Sequence, residues 1–106
     1  LRLWARPGSV KKTERAFPGV TVTDDPCAAA DGADVVVFCC PVSGMEPLAR
    51  LMAPVVSDSA IVTDAGSVKA GVVSALESVF GSRFVGAHPM AGSEQCGVEA
   101  AEADLY

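Results

Sequence analysis

The stretch GAHPMAGSE, residues 86–94, surrounds the only histidine of the chain, His88, with Gly86, Pro89, Gly92, the hydroxyl of Ser93 and the carboxyl of Glu94. An imidazole with an unperturbed pKa of about 6.5 can take up a proton near neutrality and return it, which is what a general base must do. A loop histidine tied to a backbone carbonyl is the alternative at such a position. A second stretch, TDAGSVK from Thr63 to Lys69, puts Ser67 where a strand is expected to give way to a helix. Its hydroxyl can orient the hydroxyl of a ligand, and Ser67 or Asp64 can equally cap the helix by accepting hydrogen bonds from its free amides. Asp64, Gly66 and Lys69 are read as a buried cap, a tight turn and a solvated lysine.

The elements that must position these groups are legible as short apolar runs: LRLWA, VTVT, DVVVFCCPV, AIVTD and RFVGA, each bounded by Gly, Pro, Asp or Ser. Several are β-branched without polar alternation, the pattern of parallel strands covered on both faces. Helical spacing lies between them. Leu48, Leu51, Met52 and Val55 are expected to form one helix face, with Ser43 and Glu46 as a capping box and Pro47 in the first turn. Val68, Val72, Leu76, Val79 and Phe80 form a second face, which Gly81 is expected to stop. Shorter helices are expected over Ser9 to Phe17 and in PCAAADGA. The resulting β-α-β-α-β-α-β-α-β order predicts a doubly wound α/β domain with right-handed crossovers.

Ligands of such sheets bind beyond the carboxyl ends of the strands. That singles out RPGS after the first strand, PVSG after the third, DAGSVK after the fourth and AHPMAGSE after the fifth. His88 and Ser67 both fall in this set.

Composition narrows the partners. With 106 residues, half of them apolar, the chain can bury a core. Its formal charge of -5 offers no general attraction for nucleic acid or an anionic membrane surface. No apolar stretch approaches the roughly 20 residues that span a bilayer, and the first residues lack the order of a signal peptide, so a cytoplasmic protein is expected. Cys27, Cys39, Cys40 and Cys96 match no metal spacing and read as reduced thiols, Cys39 and Cys40 being expected in the core. No metal is expected. The chain opens on Leu1 within an apolar run and stops at Tyr106 without a tail, and it is expected to be a piece of a longer polypeptide.

IVTDAGSVK followed by FVGAHPMAGSEQCGVEAAEADLY closely resembles the prephenate and arogenate dehydrogenases of tyrosine biosynthesis. The DVVVFCCPV strand and the interval between the motifs fit as well, so the likeness covers nearly all of residues 1–106, read as a partial NAD(P)-binding Rossmann domain. The resemblance implies oxidative decarboxylation of prephenate or arogenate, with hydride passing to a nicotinamide. It implies that His88 takes the proton of the substrate hydroxyl, that Ser67 orients the same region and that Glu94 binds substrate at the pocket mouth. It also implies a homodimer formed through a helical domain beyond Tyr106. A hydroxyacid-type Rossmann dehydrogenase and a non-catalytic nucleotide-binding or regulatory module are the competing readings.

The sequence contains no G-x-G-x-x-G turn, the element that holds a pyrophosphate. In the 3-2-1-4-5-6 strand order of a Rossmann sheet, loss of the first strand separates LRLWA and VTVT from the other three strands, so a sheet with a gap is expected. After LRLWA, where NAD enzymes usually carry an acid, stands Arg6, and Ser9, Lys11 and Lys12 can join it around a 2′-phosphate. This leans the cofactor toward NADP over NAD. A solvated basic helix start, or an arginine stacked on adenine, would explain the same residues. Pro41 and Ser67 complete the expected cofactor contacts.

Overall fold

The computed structural model describes residues 1–92, 95, 97–102 and 104–105. Strand and helix alternate in the expected order: β1 (Arg2–Trp4), α1 (Val10–Ala16), β2 (Thr21–Thr23), α2 (Pro26–Ala30), β3 (Val35–Phe38), α3 (Val42–Met52), β4 (Ile61–Asp64), α4 (Lys69–Phe80) and β5 (Phe84–Val85). Local chemistry explains several boundaries. Asp25 caps α2 by accepting the amides of Cys27 and Ala28 at 2.9 and 3.3 Å, and Pro26 fills the first helical position, where no amide is needed. Gly81 ends α4 at φ 61°, a conformation that side chains with a Cβ resist.

Among the described residues the strands form two separate parallel sheets, β1-β2 and β3-β4-β5. The expected gap therefore lies where it was anticipated. A groove of about 460 Å³ runs between the sheets, lined on one side by β1 and on the other by β3. Each of these two strands carries a ladder on one side only.

Register explains the core. Val36, Val62 and Phe84 stand side by side across β3, β4 and β5, and they are buried with Phe38 against Met45, Ala49 and Met52 of α3 and Val72, Leu76 and Phe80 of α4. The opposite face of the same sheet is open. Val35 faces Ile61, and Val37 and Val85 flank Thr63; all four apolar side chains are more than half exposed. The expected cover on both faces is thus corrected to one. The crossovers from β3 to β4 and from β4 to β5 advance in the same direction across the sheet, and under the right-handed rule for such connections both α3 and α4 fall on one side.

Helix α3 also departs from expectation. It begins at Val42 behind Pro41 with no side-chain cap, so Ser43 lies inside the helix and forms no capping box. Glu46 instead accepts from Arg50, one turn on, at 2.8 and 3.1 Å. Pro47 sits in the helix interior, beyond the first turn. The buried stripe runs through Met45, Ala49 and the expected Met52, with Leu48 and Val55 packed beside it, while Leu51 is largely exposed. Strand alternation corrects Cys39 in the same way: Phe38 points into the core, and the next residue is exposed.

Candidate functional site

The carboxyl ends of β3, β4 and β5 lie along one edge of their sheet, with Phe38 paired to Asp64 and Thr63 paired to Val85. Three residues beyond each strand end stand Pro41, Ser67 and His88. The turns after β4 and β5 leave the sheet as neighbours, and the Thr63 hydroxyl donates to the Val85 carbonyl at 2.7 Å at their base.

Asp64 joins these two turns. Its carboxylate is 1% exposed and fully partnered. Oδ2 accepts the Gly66 amide at 2.8 Å, and Oδ1 accepts the Ala87 amide at 3.2 Å. The half-buried Lys69 ammonium donates to Oδ2 and also to the Ala87 carbonyl, the latter at 2.5 Å. Burial pushes the Asp64 carboxyl up, but the hydrogen bonds from Lys69, Gly66 and Ala87 and the charge of Lys69 outweigh it and hold the group below its ordinary 3.8. Gly66 is closely surrounded: a Cβ there would lie 3.0 Å from Asp64 Oδ2, 3.2 Å from Val42 and 3.3 Å from Met45.

Two expectations change here. Neither Ser67 nor Asp64 caps α4, which starts at Lys69 behind Val68 without a side-chain cap. Ser67 is exposed, and Asp64 spends its acceptors on the two turns. Lys69 is no solvated lysine, because it neutralises a buried carboxylate. The spacing carried a signal for this: an aspartate at a strand end, glycine two residues on and lysine five residues on allow one carboxylate to accept both.

His88 is exposed, and among the described residues its imidazole has no hydrogen-bond partner, so the expected alternative of a ring tied to a carbonyl does not hold. What is tied down is its neighbour, Ala87. The arrangement puts an imidazole and a hydroxyl on adjacent turns that share a buried carboxylate, groups able to address a hydroxyl-bearing ligand. Glu94, expected to bind substrate, lies outside the described residues, as do Ser93 and Cys96.

Three of the expected cofactor contacts, Arg6, Ser9 and Pro41, line the groove between the sheets, and Ser67 does not. Lys11 lines a separate cavity beside Thr23 and Asp24. Lys12 is engaged elsewhere, in an exposed ion pair with Glu99 at 2.8 Å that holds the Glu99 carboxyl below its usual range. Among the described residues, no three His, Cys, Asp or Glu side chains gather as metal ligands, and no helix is long and apolar enough to cross a membrane.

Comparison with known proteins converges on this domain. The family model described as prephenate dehydrogenase, nucleotide-binding domain, matches residues 6–106. A cyclohexadienyl dehydrogenase of Zymomonas mobilis is 39% identical over 89 residues, covering 83% of this chain and 30% of that protein. The structure of prephenate dehydrogenase from A. aeolicus in complex with hydroxyphenyl propionate and NAD+ superposes with a TM-score of 0.86 at 33% identity, covering 99% of this chain and 37% of that one. For the Synechocystis arogenate dehydrogenase structure the TM-score is 0.83 at 26% identity, over 95% and 36% of the two chains. The chain spans about a third of the length of these relatives.

Proposed function

The chain belongs to the prephenate dehydrogenase nucleotide-binding domain family, and from that premise we propose that it serves the NAD(P)-dependent oxidative decarboxylation of prephenate or arogenate. The observation that supports the reading is the pairing of β4 with β5, whose following turns carry Ser67 and His88 at the carboxyl-end edge of the sheet, where ligands of such sheets bind.

The bound dinucleotide supplies the hydride acceptor. Everything else falls to side chains. Ser67 orients the ring hydroxyl of the substrate, and His88 accepts its proton as hydride departs from the same carbon. Loss of carbon dioxide then leaves an aromatic ring whose oxygen takes the proton back from His88. Aromatisation supplies much of the driving force, so the protein is left to align the reacting atoms and to manage one proton. Glu94 is assigned to substrate binding by its place in the HPMAGSE motif.

On the cofactor side, Arg6 and Ser9 fit the adenosine ribose end, and Pro41 supplies an apolar surface within the same groove. The guanidinium favours NADP, since it can pair with a 2′-phosphate. Lys12 adds less than its spacing promised, being paired with Glu99. The proposed compartment is the cytoplasm, where free thiols at Cys27, Cys39 and Cys40 persist. Assembly as a homodimer rests on the family resemblance alone.

The test is to express the complete reading frame that carries this chain and to follow nicotinamide reduction with each substrate. Turnover of prephenate or arogenate is expected, and His88→Asn should lower kcat by roughly 10²- to 10⁴-fold without moving Tm. No turnover of either compound would overturn the reaction. Parental activity in the variant would remove the base.

A further inference from the structure

We propose that Asp64, with Lys69, is a positioning pair that holds the base in register with Ser67, a role that rests on the reading of His88 just given. Asp64 does not face a ligand, being 1% exposed, and its acceptors are taken from within the fold. How they are taken is informative. One oxygen holds the Gly66 amide, which immediately precedes Ser67, and the other holds the Ala87 amide, which immediately precedes His88. A single rigid group therefore spans the two turns on which the reacting side chains stand.

Lys69 completes the clamp from the other end of the same residue. Its ammonium donates to the Ala87 carbonyl at 2.5 Å, and that carbonyl belongs to the peptide that contains the backbone nitrogen of His88. With the Ala87 N–H and C=O both held, the plane of the Ala87–His88 peptide is set, and His88 retains only its own torsions. A buried carboxylate is costly unless it is paired and hydrogen-bonded, and a simple turn could be built without one. Coupling two catalytic turns is a use that requires the charge, because one anion can draw in both amides and the ammonium at once. Neither residue touches substrate in this scheme, so both act through His88.

The test is a mutant cycle in the complete reading frame. Lys69→Met is expected to lower kcat by roughly 10- to 100-fold while KM changes by less than about 3-fold, because misplacing a reacting group by about 1 Å is enough for such a loss. In a His88→Asn background the same substitution should lower kcat by less than about 2-fold, since no base remains to be misplaced. Lys69→Arg should recover part of the loss. Should Lys69→Met fail to fold for want of a partner to the buried carboxylate, Asp64→Asn/Lys69→Met leaves neither charge stranded and is expected to show the same dependence on His88.

Equal fold losses with and without His88 would mark the pair as merely structural and overturn the inference. Parental kcat in the pair variant, with His88→Asn impaired, would overturn it while leaving the proposed base intact. A parental His88→Asn enzyme would instead strike the reading of the base, and this inference with it.

Discussion

Oδ1 of Asp64 accepts the backbone N–H of Ala87 at 3.2 Å, across 23 residues of sequence, so a carboxylate at the end of β4 determines where the chain goes after β5. The same carboxylate organises its own turn through Gly66. The two turns of the candidate site are thus joined by a buried group.

Gly66 should be the least replaceable glycine of the site. Ala at this position would press on the Asp64 carboxylate and on Val42 and Met45, with a loss of about 1–3 kcal/mol expected from overpacking. Gly71 is the control: it lies in α4 with open space around its missing Cβ, and Gly71→Ala should stabilise by roughly 0.5–1 kcal/mol through helix propensity. Thermal melts of the two variants should move in opposite directions. Equal shifts would show that the crowding at Gly66 is relieved easily.

Acid should loosen the site in a defined direction. Asp64 is held below its ordinary 3.8 in the folded chain, so between the folded and unfolded values the native state binds fewer protons than the unfolded one. Its contribution is therefore full above the unfolded value and is lost as pH falls through the folded one. Asp64→Asn should flatten the fall in Tm between about pH 5 and pH 3. Parallel acid profiles for the two proteins would mean that other carboxylates control this limb.

Cofactor choice should turn on Arg6. If its guanidinium holds a 2′-phosphate, Arg6→Asp should lower the NADP-to-NAD ratio of kcat/KM by roughly 10- to 100-fold, the range of a charge-assisted hydrogen bond. Measuring both specificity constants in the parent and the variant checks this. A marked NAD preference in the parent would remove the phosphate role.

The uncovered sheet face carries the fourth expectation. Val35, Val37, Ile61 and Val85 form an exposed apolar surface next to strands with unpaired edges, so the 106-residue chain alone should self-associate. Val35→Thr/Ile61→Thr keeps the β-branched shape and should reduce the association seen by light scattering. A monodisperse monomer with a cooperative thermal transition in the unaltered chain would refute the argument.

Much of the architecture was legible because it is local. Apolar runs bounded by breakers mark the five strands of the described residues, and Val72, Leu76 and Phe80 mark the buried face of α4 before Gly81 ends it, whereas Val68, expected on that face, precedes the helix and is exposed. The start of α3 departs from the expected one for an equally local reason. Ser43 and Glu46 have the spacing of a capping box, yet Pro41 already supplies a compatible first boundary, and the helix takes up two more residues. His88 and Ser67 could be singled out by type and motif. Their shared support could not, because the Asp64 to Ala87 bond joins two crossovers and leaves no periodic trace.

Sequence by itself determined the order of elements and the family, since these depend on residue types and near-neighbour spacing. Tertiary structure alone decided that Lys69 pairs with a buried carboxylate, that one sheet face is bare and that Arg6, Ser9 and Pro41 share a groove without Ser67. Those outcomes depend on the sense of the crossovers and on which strand ends lie side by side, and a chain acquires such relationships only when it closes on itself.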